Sequence, residues 1–118
     1  MQENIKLSTN EVNDGTYNVK TRNIFVSTKN GNFCAYINYH DHEGAEVPGS
    51  MFTLTGGGKK VFIDSLVKIG FDRAELATVG LPPNVSIPVE KAVTVTVETV
   101  EVDNNGETRT YRNTKLSS

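Results

Sequence analysis

Cysteine is all but missing from this chain. Cys34 stands alone, so no internal disulfide can staple the fold, and a reducing cytoplasm is the expected compartment. Long apolar runs are missing too. Nothing approaches the roughly 20 residues of a membrane helix, and the polar N-terminus does not read as a signal peptide, so no membrane partner is expected. Charge of one sign is also lacking: 12 Lys and Arg stand against 14 Asp and Glu, a formal net charge of −2. Any basic surface must therefore be local. There is no internal repeat and no low-complexity tract, and 118 residues suffice for one domain with a modest core.

Catalytic constellations are equally scarce. His40-Asp41-His42 with nearby Cys34 offers metal-ligand types, but two histidines one residue apart around a turn match no closed-site spacing. A polar hairpin turn is the simpler reading. Gly56-Gly57-Gly58-Lys59-Lys60 resembles a phosphate loop without the G-x-x-x-x-G-K-[ST] spacing. Nucleotide hydrolysis is not expected there, although a backbone phosphate could still meet those N–H groups and lysines. Cys34 has no activating neighbour and reads as a half-buried small hydrophobe. No acid, base or nucleophile is placed for catalysis, so the expectation is a protein that is not an enzyme and carries no cofactor and no metal.

What the sequence does contain is one amphipathic helix among strands. Phe62, Leu66 and Ile69 recur at helical spacing with Ile63 and Val67 beside them, while Lys60, Asp64 and Lys68 fall opposite. Gly70 suits the left-handed end of that helix, Asp64 is spaced to pair with Lys68, and the three glycines ahead read as an entry loop. Residues 1–14 read as a polar N-terminal arm and 15–118 as the folded domain. The first strand, Thr16 to Thr28, changes its apolar phase, which predicts a bulge near Thr21-Arg22-Asn23. After the Asn30-Gly31 turn, Asn32 to His40 alternates with Phe33, Ala35, Ile37 and Tyr39 on one side. A third strand runs from Ser50 to Thr55. Asp72 to Ala77 suggests a helical turn, and Leu81-Pro82-Pro83-Asn84 a loop. Lys91 to Val102 is the clearest strand, and the switch from Val97 to Val100 and Val102 predicts a second bulge. Asp103-Asn104-Asn105-Gly106 then closes a hairpin onto Glu107 to Leu116.

Three strands, one helix and two strands is the order of a five-stranded OB barrel, an all-β fold with its helix between strands 3 and 4. On that frame Phe25, Tyr36 and Tyr111 fall out of phase with the buried series or among charges. Lys20, Arg22, Lys59, Lys60, Arg109 and Arg112 supply cations, and His40 shares the side of Tyr36. Cations that neutralise phosphates beside rings that stack on bases are what a sequence-independent single-strand groove requires. These ten residues form the candidate nucleic-acid-binding set.

Several stretches carry a resemblance: Gly15-Thr16-Tyr17-Asn18-Val19-Lys20, Met51-Phe52-Thr53-Leu54-Thr55 with its glycine loop and Ile69-Gly70-Phe71, and Val93-Thr94-Val95-Thr96-Val97 with its Asn-Gly hairpin. Over about residues 15 to 116 the chain resembles the small OB-fold single-stranded DNA-binding proteins encoded by bacteriophages. The resemblance implies single-stranded DNA as partner, a role in phage replication or recombination in the host cytoplasm, and a homo-oligomer and phage or host replication and recombination proteins as further partners. The chain ends Arg112-Asn113-Thr114-Lys115-Leu116-Ser117-Ser118, so recruitment of partners through an acidic tail is not expected. A different class, a phage module that binds or inhibits a host protein through the same β surface, also fits the slightly acidic balance.

Overall fold

A strand whose apolar phase changes must either bend or serve two surfaces, and β1 (Gly15–Ser27) does both. In the computed structural model, which describes residues 10–31 and 33–117, its first half pairs with β5 (Ala92–Asn104) and its second half with β2 (Cys34–Tyr39). The register slips between Thr21 and Asn23, which places the predicted bulge at Arg22. Thr21 is completely buried at that bend. Its hydroxyl donates to Val89 O (2.7 Å) and accepts from Lys91 N (2.9 Å), while its own N–H reaches Lys91 O. A buried hydroxyl satisfied twice fixes the bend rather than weakening it.

The remaining elements are β3 (Ser50–Thr53), α1 (Gly57–Lys68), α2 (Arg73–Thr78), β4 (Ser86–Pro88) and β6 (Glu107–Leu116). The described fold is mostly β, an open antiparallel sheet in the order β3-β2-β1-β5-β6, with β4 added beside β1 and two helices. Its core joins Val19, Ile24 and Val26 of β1 to Ala35, Ile37 and Tyr39 of β2. Val93, Val95 and Val97 of β5, Leu116 of β6, Phe62, Leu66 and Ile69 of the helical segment, and Val12 and Val47 outside the strands complete it. Of the stripe that the spacing predicts, Phe62, Leu66 and Ile69 are buried, but Ile63 is only half-buried and Val67 is exposed, with Ser65 buried beside Leu66 instead. Phe62 meets Phe52 of β3 with ring centroids 5.2 Å apart. Gly70 follows the helix at φ 107, as expected. β3 and β6 lie side by side without pairing. The Tyr39 hydroxyl lies 2.7 Å from Ser50 Oγ, which donates to Thr114 O at 2.7 Å. Burial raises the Tyr39 phenol to about 12.

Several expectations need correcting. The described residues make six strands rather than five, because Ser86-Ile87-Pro88 pairs with Phe25, Ile24 and Asn23. The helical turn expected over Asp72 to Ala77 is the short helix α2 (Arg73–Thr78), with Asp72 as its N-cap. The second bulge is absent: β5 and β6 pair without interruption from Val95–Leu116 to Asn104–Glu107. The phase switch at Val100 instead marks where the ribbon leaves the core and turns its valines outward. Gly57 and Gly58 belong to the first turn of α1, not to an entry loop; only Gly56 precedes it, at φ 62. Asp64 binds Arg73 (2.7 Å) in place of Lys68. Residues 1–9 of the expected arm lie outside the described residues, as do Asn32 and Ser118. Residues 10–14 are packed: Val12 is buried in the core, and Val12 N donates to Glu46 O.

Candidate nucleic-acid interface

Antiparallel strands place directly opposed residues on one face. In the β1–β2–β3 half, Phe25 opposes Tyr36 and Tyr36 opposes Met51, so an aromatic, an aromatic and a methionine form a row across three strands. The row lies on the face away from the core, since Ile24, Val26, Ala35 and Ile37, which alternate with it, are buried. Phe25 and Tyr36 are half-exposed and Met51 is 64% exposed. Asn23 and Asn38 flank the row on one side, and Ser27, Cys34 and Thr53 on the other. Cys34 is half-buried, as its position among the alternating residues predicts. The expected inward set of β2 holds for Ala35, Ile37 and Tyr39. Phe33 precedes the strand and is 48% exposed.

The cations fall into separate groups. Lys20 and Arg22 are exposed on the outer side of β1 and at its bulge. Arg22 shares a shallow cleft with Asn23 and Asn38, next to the aromatic row. Lys20 instead shares a cleft with His40, whose Nε2 is 3.6 Å from Glu90 Oε1. Lys59 and Lys60 are exposed in the first turn of α1, where no side chain caps the helix. The free amide hydrogens of a first turn favour an anion there.

The β5–β6 members sit elsewhere. Arg109 opposes Val102 and Tyr111 opposes Val100, on the outer face of the projecting ribbon rather than beside Tyr36. Val100, Val102 and Tyr111 are 37%, 44% and 49% exposed, so this is an apolar surface with Arg109 at its edge. Arg112 has a structural role in place of a free phosphate contact. Its Nη1 is 2.9 Å from Glu11 Oε2 and its Nη2 is 3.2 Å from Asp14 Oδ1, and these carboxylates raise its pKa. Asp14 also accepts from Thr99 Oγ1 (2.8 Å) and Thr99 N (3.0 Å), and its pKa is lowered, chiefly by the Thr99 hydroxyl.

Two contributors escaped the sequence reading. Met51 carries no charge or ring, and its place in the row depends on the β2–β3 register. Tyr17 was read only as an apolar strand residue; its ring lies 5.0 Å from that of His42, and its hydroxyl donates to Asn13 O. His42 thus belongs to a packed turn, with Glu43 and Gly44 both at positive φ between paired His42 and Ala45. Compared with protein-family models, curated proteins and solved structures, the chain matches none.

Proposed function

We propose that this protein is an OB-fold binder of single-stranded DNA that holds bases on the outer face of β1–β2–β3. The observation that carries the reading is the Phe25–Tyr36–Met51 row on the face turned from the core, with its two rings half-buried and Met51 exposed. Bases stack on exposed rings regardless of sequence, and a methionine adds a polarizable surface at the end of such a platform. The barrel assignment draws on the bent β1 shared by two half-sheets, on β3 and β6 meeting at Ser50 and Thr114, and on a helix between the third strand and those that follow. Lys20, Arg22, Lys59 and Lys60 are the phosphate contacts of this reading, which belongs to phage replication or recombination in a host cytoplasm. Titration of labelled oligo-dT at two salt concentrations tests it. Tight binding that weakens steeply with salt is the expected result, and no binding at low salt removes the proposal.

One observation favours a second reading, a module that binds a host protein. The ribbon face of Val100, Val102 and Tyr111 is apolar and exposed, as protein-binding patches are.

A further inference from the structure

Beside the Phe25–Tyr36 pair, the next rung of the outer face is polar. Asn23 opposes Asn38 there, two residues along each strand from the rings and on their side of the sheet. Together with Arg22 of the bulge, and with Asp41 and Glu46 of the connection from β2 to β3, they line a cleft of about 440 Å³. Charges of both signs share this cleft without satisfying one another. Among the described residues, Arg22 forms no ion pair, and the carboxylates of Asp41 and Glu46 enter no ion pair and accept no hydrogen bond. Asn23 Nδ2 donates to Ser86 Oγ at 2.6 Å, which leaves its carbonyl oxygen unpaired, and the Asn38 amide is unpaired as well.

Two carboxylates repel a phosphate, so the occupant that suits the cleft brings hydrogen bonds rather than negative charge. It must offer acceptors to a guanidinium and donors to a carboxylate. It also lies about 7 Å from the rings, one rung along the strand, within reach of the next base of an extended chain. Guanine alone among the bases has both features. Its O6 and N7 accept side by side on one edge, and its N1–H and N2–H2 donate side by side on another. Adenine turns an acceptor, N1, toward a carboxylate, and cytosine and thymine have no two adjacent donors. We infer that this cleft gives the protein a preference for guanine at one position of the bound single strand. Arg22 is bidentate on O6 and N7, and the carboxylates of Asp41 and Glu46 accept from N1–H and N2–H2. The inference rests on the reading of the outer face as a stacking platform for DNA. With another base in the cleft, Arg22 returns to the phosphates.

The test compares, with the full chain, labelled oligo-dT and the same oligonucleotide carrying one central dG, dA, deoxyinosine or 7-deaza-dG. Deoxyinosine lacks the 2-amino group, and 7-deaza-dG lacks the N7 acceptor. The dG oligonucleotide should bind about tenfold tighter than oligo-dT, and each guanine analogue should lose part of that gain. Asp41→Ala with Glu46→Ala should make dG and deoxyinosine equal, and should leave oligo-dT binding unchanged or tighter, because two anions are gone. Arg22→Lys keeps the charge but not the planar fork, so it should make dG and 7-deaza-dG equal. All three positions are exposed, so the fold should survive the substitutions. Equal binding of oligo-dT and the dG oligonucleotide overturns the inference and leaves the stacking platform standing. Binding of neither overturns both. An equal gain from dA means purine stacking and overturns the inference, as does a dG gain that survives both sets of substitutions.

Discussion

Phe25 on β1 and Tyr36 on β2 stand directly opposite one another, and both remain half-exposed on the face turned from the core. Their backbones are locked by strand pairing on both sides, since Phe25 also opposes Ser86 and Tyr36 also opposes Met51. A stacking surface built on paired strands is preorganised, and little entropy is lost when a base settles on it.

Tyr36→Ala should therefore weaken oligo-dT binding by about ten- to a hundredfold, from a stacking contribution of ~1–3 kcal/mol per base. The salt slope should not change, because no phosphate contact is lost. Thermal unfolding measured alongside separates the two roles of the ring: a collapse of the melting temperature would mean that Tyr36 supports the fold instead of the ligand.

Lysines and Arg112 should part company in salt titrations. Lys59→Ala with Lys60→Ala removes two exposed cations and should flatten the salt dependence by up to ~2 units. Arg112→Ala should leave that slope alone and lower the melting temperature, because its guanidinium is held by Glu11 and Asp14. A slope change for Arg112→Ala as large as that for a lysine would contradict the structural role assigned to it.

The first turn of α1 offers a paired test. Around Gly57 a new Cβ meets nothing within 4 Å, so Gly57→Ala should stabilise the protein by roughly 0.5–1 kcal/mol through helix propensity. At Gly58 the same methyl would collide with the backbone carbonyl of Thr53. Gly58→Ala should instead destabilise by about 1–3 kcal/mol, the usual cost of overpacking, despite the better helix former. Denaturant midpoints that move in the same direction for both would refute the close approach of α1 to β3.

Acid should act through Asp14. Its pKa is depressed in the fold, by the Thr99 hydroxyl first and then by the Thr99 amide and Arg112. The carboxylate therefore contributes stability that is complete above the unfolded value of about 3.9 and is lost as pH falls through the lower folded value. Melting curves of the native chain and Asp14→Asn, compared from about pH 6 to below pH 4, should converge at the acid end. A gap that stays constant across that range would assign the acid sensitivity to other carboxylates.

How much of this was legible in the sequence depended on the range of the cause. The bulge at Arg22 could be read because a core strand that changes phase must kink. The same signature in β5 had another origin, for alternation tells which residues share a face and not whether anything covers that face. Val100 and Val102 therefore looked like core and are outside it. β4 was invisible because three residues ending in Pro88 carry no periodicity, and their pairing is imposed by β1. The charge of Arg112 was plain, but its partners Glu11 and Asp14 lie 101 and 98 residues away. Charge type is local information; charge pairing is tertiary.

The doubled pairing of β1 also sets an order of events on the ribosome. Its second half can zip against β2 as soon as the adjoining turn emerges, but its first half waits for β5: Thr16 and Thr96, which share a hydrogen bond, are 80 residues apart. Long-range strand pairing must close a large loop before it gains anything, so it is slow. Until about residue 97 has been made, Gly15 to Lys20 present an unpaired strand edge to whatever is nearby. The first strand to be synthesised thus waits for most of the chain before its pairing is complete, and that interval is when a chaperone or a second nascent chain has access to it.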